Sequence, residues 1–124
     1  MPTPDFGAAR KHYQVMREVI IHHPGGWPDD PSIRQMQQSC RAALRAVEDR
    51  ECAAYIEAIE GYAADLFSEV DHRRWTRKQM TGADFLRLQI LRELEAFHAR
   101  LLTLETSLSA LSRAAADGKG TAPQ

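Results

Sequence analysis

The chain has 124 residues, 44% of them apolar and 27% charged, and its net charge is −1. That is apolar material for one folded domain rather than a disordered chain, and the near-zero charge gives no global attraction to nucleic acid or to an anionic membrane. Two Trp, three Tyr and four Phe are few enough that the core is expected to be mostly aliphatic.

Thr3-Pro4 has the form of an N-cap followed by proline at the first helical position. Phe6, Ala9, Tyr13, Met16 and Ile20 then recur at spacings of three and four, with Val15, Val19 and Ile21 beside them. This predicts a first helix over residues 4–23. Val19-Ile20-Ile21 is the longest aliphatic run near the N-terminus. It is far short of a signal-peptide core or a membrane span, which points to a cytoplasmic protein with Cys40 and Cys52 as reduced, buried thiols. Residues 24–28 (Pro-Gly-Gly-Trp-Pro) force a loop. Within it, Trp27 is either a plug over one end of the fold or an anchor for a partner. Asp29 or Asp30 caps the next helix, ahead of Pro31.

From Pro31 the helical pattern runs far. Ile33, Met36, Cys40, Leu44 and Val47 form one stripe. Tyr55 or Ile56, Ile59, Tyr62 or Ala63, Leu66, Phe67 and Val70 form a second, about one residue out of phase, with the mismatch at residues 48–51. No Gly or Pro stands at the mismatch, so the expectation is one continuous helix that kinks there. The alternative is two helices with Asp49 as a new N-cap. Residues 31–47 hold three Arg and no acid, whereas residues 48–71 are rich in acids. A basic segment around Trp75 follows.

The last helix is predicted from Thr81, with Asp84 completing a variant capping box, to Ala115, with Gly118 and Gly120 as stop signals. Ile90, Phe97, Leu104 and Leu111 fall in one column of a seven-residue repeat, and Leu94, Leu101 and Leu108 in the other. Such a seam must be covered by other helices. Leu86, Leu91 and Leu102 widen it. A bend at residues 80–82 folds this helix back on the preceding one. The predicted fold is therefore all-α: a long antiparallel helical hairpin with a shorter N-terminal helix packed on it, a three-helix bundle, or four helices if the second breaks near residue 49. Residues 1–116 form the domain and 117–124 a flexible tail. Part of the hairpin outruns the first helix, which predicts a homodimer.

Three constellations are chemically suggestive. Glu69 and His72, and Glu95 and His98, are two Glu-x-x-His pairs, each sharing a helix face as in carboxylate-bridged di-metal bundles. Arg73, Arg74, Trp75, Arg77 and Lys78 combine cations with a stacking surface and suit an acidic protein partner or, more weakly, nucleic acid. His12, His22 and His23 fit helix-end histidines better than a metal site, because a straight helix separates His12 from His23 too far. No nucleophile–base arrangement or phosphate-binding loop is present, and no cofactor is expected. The sequence is best read as a non-enzymatic interaction module, an adaptor, regulator or assembly factor that binds itself and another protein. Partner contacts are expected at Trp27, Arg73, Arg74, Trp75, Arg77 and Lys78. The alternatives are a di-metal bundle and a weak nucleic-acid binder.

Overall fold

A computed structural model describes residues 3–22, 30–67 and 76–121; for residue 30 and residues 116–121 only the backbone is described. Among the described residues four helices follow one another: α1 (Phe6–His22), α2 (Asp30–Ala46), α3 (Arg50–Leu66) and α4 (Arg77–Thr121). There is no strand among the described residues. The arrangement is compatible with a helical bundle. α1 packs on α2 and α4, and α3 packs on α4 and α2. No helix among the described residues is long and apolar enough to cross a membrane.

The helix ends explain the boundaries. Asp5, rather than Thr3, caps α1. Its carboxylate accepts the Ala8 N–H at 2.9 Å, and its own N–H donates to the Ala46 carbonyl at 2.8 Å. The expected single helix from residue 31 is two helices. Asp49 has an extended backbone (φ −143°, ψ 135°) and accepts the Cys52 N–H at 3.0 Å, so it caps α3 from the outside. A new cap satisfies the first amides of α3 where the hydrophobic phase changes, and no glycine or proline is needed. The start of α4 also differs from expectation. Thr76 and Gln79 form a full capping box, with the Thr76 N–H donating to the Gln79 side chain at 2.7 Å and the Gln79 N–H to the Thr76 hydroxyl at 3.2 Å. Residues 80–82 therefore lie inside α4 and make no bend, and Thr81 turns its hydroxyl onto the Arg77 carbonyl. At its other end α4 runs through Gly118 and Gly120 to Thr121.

Most of the core comes from the predicted stripes, although Ile33, Leu44 and Phe67 are only half-buried, Ile21 is exposed and Val70 lies outside the described residues. Ala9, Tyr13, Met16 and Ile20 come from α1, Met36 and Cys40 from α2, and Cys52, Ile56, Ile59, Ala63 and Leu66 from α3; Val47 joins them from the turn. α4 contributes Ala83, Ile90, Leu94, Phe97 and Leu101. At roughly 1.5–3 kcal/mol for each large apolar side chain, these residues supply the main drive to fold. The four from Ile90 to Leu101 have no exposed surface. Leu86, Leu91 and Leu104 are partly covered. Beyond them the seam is bare. Leu108 is 43% exposed and Leu111 66% exposed, and Leu102, expected to widen the covered face, points outward. With 45 residues, α4 spans about 68 Å, against about 26 Å for each 17-residue neighbour. Its C-terminal part projects past the others.

Candidate functional site

Side-chain ion pairs fix where cover over α4 ends. Arg100 on α4 makes two 3.0 Å hydrogen bonds to the Asp49 carboxylate and lies 3.5 Å from Glu51. Asp49 thus caps α3 and anchors α4 with one carboxylate. The Arg100 guanidinium, with smaller help from the Cys52 amide, holds its pKa down at about 2. One turn further along, Arg10 of α1 grips Glu105 with both guanidinium nitrogens, at 2.7 and 3.3 Å. After Glu105, every residue from 106 to 115 is exposed.

The suggestive constellations fare unequally. Glu95 and His98 both turn to one partner on α1. The Tyr13 hydroxyl donates to Glu95 at 2.5 Å, and its ring stacks on the His98 ring at 4.5 Å with a 14° interplanar angle. Burial first, then the Glu95 hydrogen bond, pushes Tyr13 up to about 12. Arg17 stands 3.8 Å from the same carboxylate. Glu95 and His98 therefore help to dock α1 on α4. Glu69 and His72 lie outside the described residues. Among the described residues, no three His, Cys, Asp or Glu side chains group as a metal site would require. His22 pairs with Glu18 at 2.9 Å on the outer face of α1.

Of the expected partner-contact residues, Trp27, Arg73, Arg74 and Trp75 lie outside the described residues. Arg77 and Lys78 are exposed in the first turn of α4. That is the positive end of a helix dipole, with no acid in the first turn to offset them. Their charges face solvent.

Both thiols are buried and unpaired. The Cys40 thiol donates to the Met16 sulfur at 3.6 Å. Burial raises Cys40 to about 12, aided by the nearby Glu60 charge. Burial and Asp49 raise Cys52 to about 12. Neither is a thiolate at neutral pH, so neither is a ready nucleophile.

Sequence reasoning did not anticipate a cleft of about 470 Å³ between α2 and α3. Ile33, Met36, Cys40, Ala63 and Phe67 supply its apolar lining, with Arg41 on the α2 lip and Glu60 on the α3 lip. The signal was present in the contrast between the acid-free residues 31–47 and the acid-rich residues 48–71. Its meaning depended on the break at Asp49, which sets the two segments side by side. The chain matches no family model, and neither the curated proteins nor the solved structures searched contain a match.

Proposed function

We propose that this protein is a non-enzymatic, homodimeric interaction module of the cytoplasm, built as a four-helix bundle whose fourth helix projects to engage a protein partner. One observation carries the reading. A heptad seam that is wholly covered from Ile90 to Leu101 continues, in the same register, as exposed Leu108 and Leu111. Exposed leucines in register offer a partner helix the same knobs that the bundle buries below. Two unpaired thiols suit a reducing compartment.

The test is a paired affinity purification from the native cell with wild-type protein and the variant Leu108→Glu/Leu111→Glu. The expected result is a defined protein recovered in stoichiometric amount by wild type and lost by the variant, with unchanged helicity and melting temperature. Equal recoveries from the two baits would overturn the role of the projection. Sedimentation equilibrium at tens of micromolar checks the homodimer, and a monomer mass would overturn that part.

A further inference from the structure

The projecting seam leaves open where two copies would meet. We infer that the homodimer forms face to face across the α2–α3 cleft, about a two-fold axis running along it; this rests on the homodimeric reading above.

Unpaired charge picks out the contact. Arg10, Arg17, Arg87 and Arg100 each reach an acid within the chain. Arg34 and Arg41 on α2, and Glu57 and Glu60 on α3, are all exposed and make no ion pair among the described residues. Arg34 and Arg41 stand seven residues apart, and Glu57 and Glu60 three, so each pair shares one face of its helix. The cleft has Arg41 on one lip and Glu60 on the other, above an apolar floor. One lip is positive and the other negative, and neither neutralises the other within the chain.

Symmetry turns this into a choice of partner. The three-residue connection from Val47 to Asp49 makes α2 and α3 antiparallel neighbours. A two-fold axis along the cleft places α2 of one copy over α3 of the other, basic lip on acidic lip, at both ends of the exchange. An axis across the cleft would place α2 on α2 and repel. The levels also agree. Counted from residue 48, Arg41 is seven residues up α2 and Glu57 nine up α3, while Arg34 is fourteen up and Glu60 twelve. Each mismatch of two residues is about 3 Å, within the reach of an arginine side chain. Arg50 shares the Glu57 face at the turn end, so the attraction centres on Arg34 and Arg41. An isologous contact of this kind is self-complementary by construction. Two helices about 26 Å long lying about 10 Å apart offer a footprint on the order of 500 Å² per copy. That is at the small end for a stable interface, so a micromolar, salt-sensitive dimer is expected. The axis also sends both α4 projections out of the same end of the dimer, as two prongs.

Sedimentation equilibrium at tens of micromolar and low salt tests this with four samples: wild type, Arg34→Glu/Arg41→Glu, Glu57→Arg/Glu60→Arg, and an equimolar mixture of the two variants. Wild type should be dimeric. Each variant alone should dissociate at least about tenfold more readily, because both of its contacts become like-charged. The mixture should recover the dimer, since opposite lips face again at both contacts. That recovery also shows that the variants fold. A wild-type dimer that persists in both variants would overturn the cleft and leave the homodimer standing. A monomeric wild type would remove the homodimer itself.

Discussion

The two halves of α4 share one heptad grammar and meet opposite fates. From Ala83 to Leu101 the a and d positions are sealed, apart from Arg87, which reaches the Ile20 carbonyl and Asp84. From Glu105 onward the same grammar runs into solvent, because α1 and the α2–α3 turn end at the level of Arg10 and Asp49. Burial is a property of the neighbourhood, and an identical leucine is worth several kcal/mol in one half and nearly nothing in the other.

The sharpest way to break this contrast is Leu101→Asp. It places an unpaired charge in the sealed half and should cost about 4 kcal/mol, enough to unfold much of the population in a thermal melt. Next comes the anchor at the border. Asp49→Ala removes the α3 cap and leaves Arg100 only its longer contact to Glu51, for about 2 kcal/mol in urea denaturation. Asp49 also sets a pH signature. Its pKa is lower in the folded chain, at about 2, than the ordinary 3.8. Its contribution is whole above the ordinary value and disappears as pH falls through about 2. Asp49→Asn, which keeps a capping oxygen, should flatten that limb of the stability curve. Glu105→Ala, at the last covered turn, should cost no more than about 1 kcal/mol because the Arg10 pair is more than a third exposed. Gly82 lies within α4, and a methyl group there would meet nothing within 4 Å. Gly82→Ala should therefore raise stability by roughly 0.5–1 kcal/mol; a loss would mean the helix does not run straight through this point. Smallest of all, Leu108→Glu/Leu111→Glu should move the melt by less than about 0.5 kcal/mol.

What the sequence made legible follows the range of each interaction. The stripes of α1, α2 and α3 and the upper seam are local periodicities, and most of their described members reappear in the buried set, with Ile21 left exposed and Ile33, Leu44 and Phe67 only half-buried. The break at residues 47–49 left a trace as a phase slip, but a cap made by one aspartate is quieter than a glycine or proline. Thr81 with Asp84 imitates a capping box, while Thr76 with Gln79 five residues earlier is the true one, and Gly82 lent the false start its weight. The Asp49–Arg100 clamp joins residues 51 apart, and Tyr13 meets Glu95 across 82. Such pairs become visible only once the chain has folded back on itself. The cleft lips were readable as charge segregation, but their facing one another was not.

The length of α4 has a consequence for anyone weighing this molecule. A compact chain of this size has a radius of gyration of about 14 Å, yet this one carries a single rod of about 68 Å. Friction follows the rod. A monomer will leave a gel-filtration column early and pass for something heavier. Only a mass measured independently of shape distinguishes one copy from two, and small-angle scattering of the monomer should show pair distances approaching the length of that rod.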